Sequence, residues 1–206
     1  CGALEKPALV TANVLVGNDA NAAALEIPLG MATFTFVREG GFALTGAGCE
    51  ATLDGEAVWS GGRHWAKAGQ TLTLKRPQHG IRSYLALSGG IDVPAVMGSR
   101  ITDLNVGVGG FEGRCLQDGD VLPLGHLVRT FREPRGIKPL IASNRIRALP
   151  GPEYHEFDAT SQETFWRSPW QLSPQSNRMG YRLKGQPLVR DNVRELVSHG
   201  LVPGVV

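Results

Sequence analysis

Thr33-Phe34-Thr35-Phe36-Val37, then Gly40-Gly41, then Phe42-Ala43-Leu44 is the stretch on which the fold reading turns. Polar and apolar side chains alternate with period two over residues 33–37, the spacing of a strand with one buried face. The glycine pair reads as a turn into a second strand, Phe42-Ala43-Leu44. Further along, Leu53-Asp54-Gly55 carries an Asp-Gly hairpin signal ahead of Ala57-Val58-Trp59. Thr71-Leu72-Thr73-Leu74 and Tyr84-Leu85-Ala86-Leu87 are further strands, and Gly89-Gly90 closes the latter. Val121-Leu122-Pro123-Leu124 follows the turn Asp118-Gly119-Asp120. Upstream, residues 6–16 read as a helix with Pro7 in its first turn, Gly17 just past its end, and Ala8, Ala12 and Leu15 as its apolar stripe. Short strands at this spacing, with 27 glycines and 13 prolines as punctuation, predict a mainly β chain with few short helices, built as a barrel or sandwich.

The pattern lapses over residues 126–140, which carry Pro134, Pro139 and part of a basic run: Arg129, Arg132, Arg135, Lys138, Arg145 and Arg147 against Glu133. That run reads as a solvated linker or as an edge facing phosphate or a partner. A second unit starts near Ile141. Ile146-Arg147-Ala148-Leu149 reads as a strand, Thr160 and Glu163 as a capping box starting a short helix through Phe165 and Trp166, and Trp170-Gln171-Leu172 and Tyr181-Arg182-Leu183 as strands. Position 1 is Cys, and the chain stops at Val206 inside an apolar run. These ends read as a chain lacking residues on both sides.

A net charge of +2 on 206 residues is too small to imply nucleic acid or a membrane surface as partner. No apolar stretch approaches the ~20 residues of a membrane-spanning helix. Three cysteines, Cys1, Cys49 and Cys115, show no metal spacing and suit a reduced, cytoplasmic setting. Several sites are excluded by pattern. There is no Gly-Lys pair, hence no P-loop. Gly107, Gly109, Gly110 and Gly113 miss the dinucleotide spacing because position 112 is Glu, and they read as a mobile or tightly turned loop, or as a substrate-facing one. No nucleophile elbow, zinc signature or Met-Lys-Met biotin-carrier site occurs.

Three clusters remain. In the turn of residues 173–183, Arg178 and Arg182 are placed to clamp a carboxylate or phosphate, with Ser176 and Asn177 donating beside them. A strand beginning early would set Arg178, Gly180 and Arg182 on one face; the plain alternative is an exposed turn with surface arginines. In the second cluster, alternation puts Arg82 and Tyr84 on one face beside the His79-Gly80 turn, as an anion site or a solvent-side hairpin. The third is Glu195 with Ser198 and His199, an acid–base pairing or a structural one.

An ordered set of segments carries a resemblance. It runs through Ala12-Asn13-Val14-Leu15-Val16-Gly17-Asn18, Ala24-Leu25-Glu26, Gly80-Ile81-Arg82-Ser83-Tyr84-Leu85-Ala86, Gly89-Gly90-Ile91-Asp92-Val93-Pro94, Met97-Gly98-Ser99-Arg100, Leu149-Pro150-Gly151-Pro152, Ser176-Asn177-Arg178-Met179-Gly180 and Pro203-Gly204-Val205. This set resembles the biotin-dependent carboxyltransferase family, also called allophanate hydrolase subunit 2, and most of all its 5-oxoprolinase branch. The resemblance implies two cyclophilin-like β-barrel domains. The first would span residues 1–128, lacking an N-terminal edge. Residues 129–140 would link it to the second, begun over 141–206 and lacking its C-terminal part. It further implies a complex with 5-oxoprolinase subunits A and B that opens 5-oxo-L-proline to L-glutamate using ATP, with magnesium. Arg178, Arg182 and His79 would then be catalytic, and Ser176, Asn177, Arg82 and Tyr84 would bind substrate. The alternatives are the carboxyltransferase part of a biotin-dependent, urea-carboxylase-type enzyme, or a non-catalytic regulatory partner of the second of those two subunits.

Overall fold

The structure, a computed structural model, describes residues 2–127, 130–131, 133–138, 146–191, 200, 202 and 204–205. The chain divides into two units, Cys1–Ala142 and Ser143–Val206. The described residues are mainly β, and none of their helices is long and apolar enough to cross a membrane.

The first unit is organised by two long strands, β3 (Gly40–Leu53) and β6 (Thr71–Leu87), paired antiparallel at both ends. On the outer edge of β6 lie β1 (Leu25–Pro28), opposite residues 82–85, and β2 (Ala32–Thr35), opposite residues 71–74. On the outer edge of β3 lie β4 (Glu56–Val58), opposite residues 51–53, and β5 (Gly62–Ala66), opposite residues 40–44. A short β7 (Arg135–Gly136) extends the β5 edge. Thus β1 with β2, and β4 with β5, each behave as one strand interrupted at a corner.

All four lines break at the same level. β3 shifts register between Gly46 and Ala51, opposite the outward stretch of β6 around Pro77 and His79. The corners fall at residues 29–31 and 59–61. Bends of this kind need backbone that L-residues with a Cβ resist. Gly46 has φ +85 and Gly80 has φ +79, and a Cβ on Gly46 would lie 2.5 Å from the Arg82 carbonyl oxygen. The sheet therefore folds over itself and encloses Phe42, Leu44, Leu72, Leu74, Leu85 and Ile27.

On the far side of one half lies α1 (Lys6–Leu15), started by Pro7 and ended before Gly17. Its Ala12, with Val16 just beyond, packs on Ala43 and Ala86, small residues that let the helix come close. Each long strand consequently has two burial patterns. Under the helix, residues 83–87 of β6 are buried without a break; beyond the bend, residues 47–51 of β3 alternate buried and exposed. Asn13, fully buried, donates to the Ala22 carbonyl (2.8 Å), and its Oδ1 accepts from Asn18. Asn18 in turn donates to Leu87 O (2.8 Å) and accepts from Gly89 N (2.9 Å), tying the helix end to the end of β6.

The glycine-rich segment is tightly turned. Asp103 and Val108 exchange backbone hydrogen bonds, and a Cβ on Gly109 or Gly113 would run into the carbonyl of Ile101 or Gly107. Arg114 reaches both oxygens of Asp120 (2.8 and 2.9 Å) and Oε2 of Glu112. That guanidinium, then the Gln117 N–H, hold the Asp120 carboxyl down at about 2. Leu122 and Leu124 pack on the core, but as a loop whose one bridge is Ile91 with Leu124, rather than the strand the sequence suggested.

The second unit holds a 3-10 turn (Pro152–Glu156), α2 (Ala159–Arg167), β8 (Gln171–Leu172) and β9 (Leu183–Lys184) among its described residues. Two expectations are corrected. Asp158, not Thr160, caps α2, accepting from Ser161 N (2.6 Å); Thr160 lies inside the helix and Glu163 pairs with Arg167 four residues on. Ile146-Arg147-Ala148-Leu149 is no strand, and its Ile146 and Leu149 are each 91% exposed. In the first unit, Gly40-Gly41 opens β3 instead of forming the turn, which falls at residues 37–38.

The bend can be tested by a matched pair. Gly46→Ala should lower unfolding free energy by about 1–3 kcal/mol through strain at positive φ. Gly48→Ala, with nothing within 4 Å of its Cβ, should change it by less than about 1 kcal/mol. Urea denaturation of both variants reads the difference.

Candidate functional site

The residues singled out in the sequence fall into one group in each unit. In the first, register decides the arrangement. Glu26 on β1 stands directly opposite Tyr84 on β6, and Pro28 opposite Arg82. Positions 82 and 84 share a face, so Glu26, Arg82 and Tyr84 meet on the helix side of the sheet. Tyr84 is 1% exposed. Its hydroxyl donates to Glu26 Oε2 (2.9 Å) and accepts from Glu5 N–H (2.9 Å) at the start of α1. The same carboxylate oxygen accepts from Leu4 N–H (3.3 Å). Arg82 Nε lies 3.3 Å from Glu26 Oε1, without hydrogen-bond geometry although that nitrogen is buried.

Burial first, and the Glu26 carboxylate with it, push Tyr84 up to about 12, against the lowering effect of the Glu5 N–H. The hydroxyl stays protonated over the neutral range, with both hydrogen bonds used inside the chain. Arg82, whose side chain is 23% exposed, presents the remainder of its guanidinium at the rim of this node. Such a group can hold an anion or carboxylate. His79 is exposed in the β6 bulge opposite Gly48, and no hydrogen bond or ion pair joins it to Arg82 or Tyr84 among the described residues. Sequence reasoning did not single out Glu26 as a site residue. Its signal was a carboxylate between Leu25 and Ile27 in a strand-like stretch.

In the second unit, Ser176, Asn177, Arg178 and Arg182 share the turn between β8 and β9. Ser176 Oγ accepts from Arg182 N (2.9 Å), and Asn177 Oδ1 accepts from Met179 N (2.8 Å) and Gly180 N (3.3 Å). Ser176 Oγ also donates to Arg182 O (3.4 Å), so both side chains hydrogen-bond within the turn and shape it. Because Asn177 captures those two backbone N–H groups, a turn replaces the early strand. β9 begins only at Leu183, so the single strand face for Arg178, Gly180 and Arg182 does not form. Arg178 and Arg182 are exposed on this turn. Glu195, Ser198 and His199 lie outside the described residues, as do Arg129, Arg132 and Arg145.

A cavity of about 310 Å³ opens at the β4–β5 edge, with Val58, Arg63, His64, Trp65 and Phe131 in its lining. None of the residues chosen from sequence lines it. Arg63 stacks over the Phe131 ring at 4.3 Å, and burial keeps His64 below its ordinary pKa.

The carboxyltransferase domain, subdomain A and B, family matches residues 1–206. The chain is 69% identical over 206 residues to the C subunit of 5-oxoprolinase from Escherichia coli (strain K12) and 41% identical over 206 residues to that of Haemophilus influenzae. In each case the whole chain aligns, and it spans 66% of the relative's length. Among solved structures, the K. lactis urea amidolyase superposes with a TM-score of 0.81 at 29% identity, over 93% of this chain and 12% of that one.

Tyr84→Phe removes the hydroxyl that donates to Glu26 Oε2 and accepts from the Glu5 N–H, and should cost about 1–3 kcal/mol. The wild-type chain should also lose stability as pH rises from about 10 to about 12, because the unfolded tyrosine ionises before the folded one. Urea melts across that range should show this loss, and its absence in Tyr84→Phe.

Proposed function

The chain belongs to the carboxyltransferase domain family, subdomains A and B, and on that premise we propose that it is a subunit of an ATP-dependent 5-oxoprolinase. The observation that carries this reading is the 69% identity to the C subunit of a 5-oxoprolinase, sustained over all 206 residues. The reaction would open 5-oxo-L-proline to L-glutamate with hydrolysis of ATP to ADP and phosphate, in a cytoplasmic complex with subunits A and B. ATP, with magnesium, is here a co-substrate of the complex. This chain carries no P-loop to cradle it, and no cluster of His, Cys, Asp and Glu among the described residues could hold a metal ion.

The chemistry sets what the chain's residues have to do. A lactam is resonance-stabilised and a poor electrophile, and ATP supplies the leaving group it lacks. Cations are then needed where negative charge gathers, on phosphate or on the substrate carboxylate. Arg178 and Arg182, displayed on a turn braced by Ser176 and Asn177, fit that need by charge and exposure. Separately, in the first unit, Arg82 offers a guanidinium beside Glu26, whose carboxylate also accepts from Tyr84. The exposed His79 suits proton relay.

The second reading is a biotin-dependent carboxyltransferase component, favoured by the structural likeness to a urea amidolyase. It is supported more weakly, at 29% identity. A non-catalytic regulatory partner of the B subunit is the third. Glutamate release from 5-oxoproline and ATP, measured with subunits A and B present, tests the main reading. Avidin should leave that activity intact; inhibition by avidin would favour the biotin-dependent enzyme. Binding of the B subunit with no 5-oxoproline-dependent ATPase activity would favour the regulatory role. Within the main reading, Arg178→Ala should lower turnover about 100-fold, and unchanged turnover would remove that residue from the site.

A further inference from the structure

The cavity of about 310 Å³ at the β4–β5 edge belongs wholly to the first unit, and its walls are mostly apolar, with Leu53, Val58, Trp65 and Phe131 among them. Arg63 and Trp65, two apart on β5, share a face of the strand. Phe131 meets Trp65 edge-on at 5.6 Å, and the Arg63 guanidinium stacks over its ring at 4.3 Å. A Cβ on Gly41 would lie 2.6 Å from that ring, so the close approach of Phe131 depends on the glycine.

Arg63 is held on three sides by neutral groups. Its Nε donates to Glu133 O (3.2 Å), its Nη1 donates to Leu15 O (3.5 Å) at the end of α1, and the Phe131 ring supports its flat face. No ion pair joins Arg63 to a carboxylate among the described residues. One hydrogen on Nη1 and both on Nη2 stay unspent, and these are the groups that grip a carboxylate end-on. The two carboxylates in the lining leave this charge in place. Glu133 turns toward Arg135 at 3.7 Å with its side chain 79% exposed, and Glu56 is exposed on β4. His64 adds no charge near neutral pH, since it stacks on Phe42 in the core and burial keeps it below its ordinary pKa.

A fixed guanidinium beside apolar walls suits a small molecule with one carboxylate on a compact ring. We infer that this cavity binds 5-oxo-L-proline, with Arg63 on the carboxylate and Trp65 and Phe131 against the ring. The inference rests on the 5-oxoprolinase reading given above and adds to it a place for the substrate. At about 310 Å³ the cavity lies at the small end of ligand sites and admits a five-membered lactam. Its apolar walls strengthen the charge-assisted bonds made inside it.

The test uses the full-length protein assembled with subunits A and B and reads glutamate release. Arg63→Ala should raise the KM for 5-oxo-L-proline about tenfold or more and leave the KM for ATP unchanged, and Arg63→Lys should recover part of the loss. Cyclopentanecarboxylate, which keeps ring and carboxylate, should inhibit the wild type more than pyrrolidinone, which keeps the lactam alone; Arg63→Ala should lose that preference. Because Arg63 also steadies the end of α1, a second variant leaves it in place. Ala57→Trp, at an exposed lining position on β4, narrows the cavity and should raise the same KM at an unchanged urea midpoint. An unchanged KM in both variants, with the wild type active, would overturn the site and leave the subunit reading standing. A lowered urea midpoint in Arg63→Ala with an unchanged KM in Ala57→Trp would make Arg63 structural and overturn the site as well. A rise in the KM for ATP instead would assign the cavity to phosphate, with the same result. No glutamate from the wild-type complex would overturn the 5-oxoprolinase reading and the inference with it.

Discussion

Two strands that pair with each other at both ends cannot bend independently. This constraint governs the first unit. β3 and β6 are hydrogen-bonded before and after their bend, so whatever turns one must turn the other at the same level. Their outer neighbours, bonded to both halves, have to turn there as well. The result is a line of exceptions across the sheet: a register shift in β3, an outward stretch in β6, a left-handed corner between β1 and β2, and residues 59–61 between β4 and β5. In return, one set of strands makes both walls of its own core. A fully buried Phe or Leu contributes about 1.5–3 kcal/mol, and Phe42, Leu44, Leu72 and Leu85 all lie at 0–1% exposure between those walls.

The helix supplies the second covering. Where α1 lies on the sheet, strand residues face apolar groups on both sides and the alternation of the sequence disappears. Where it does not, alternation returns. Tyr84 shows what this does to chemistry. It occupies the helix-covered face, opposite Glu26, and its hydroxyl accepts from the Glu5 N–H at the start of the helix. The same register that buries Tyr84 leaves Arg82, two residues earlier, at the rim. Strand geometry thus separates a structural hydroxyl from an accessible cation within one Arg-Ser-Tyr segment.

Much of this could be read from the residues. Pro7 and Gly17 bracketed α1 closely, the Asp54-Gly55 turn joined β3 to β4 as its dipeptide demanded, and period two revealed the strands at residues 32–35 and 71–74. The continuity of β3 and β6 was not legible. Gly46, Gly48 and Gly80 look like strand ends in a local window, and only the opposing strand shows that pairing resumes beyond them. The capping box at Thr160 failed for a related reason: Asp158, two residues earlier, offered a carboxylate to the Ser161 N–H first. At the candidate site, the arginines were recognisable by type. The occupation of Asn177 and Ser176 by their own turn, and the part played by Glu26, depended on hydrogen bonds that spacing does not encode.

Glu26 and Tyr84 are 58 residues apart in the chain. A contact with so large a loop cannot form early, because closing it loses chain entropy before any neighbouring pairing compensates. During synthesis the β1 strand must wait until β6 has been made almost to its end. Until then its apolar residues and the start of α1 have no sheet to join. The segment that carries α1 and β1 is therefore made well before β6 and secured only after it.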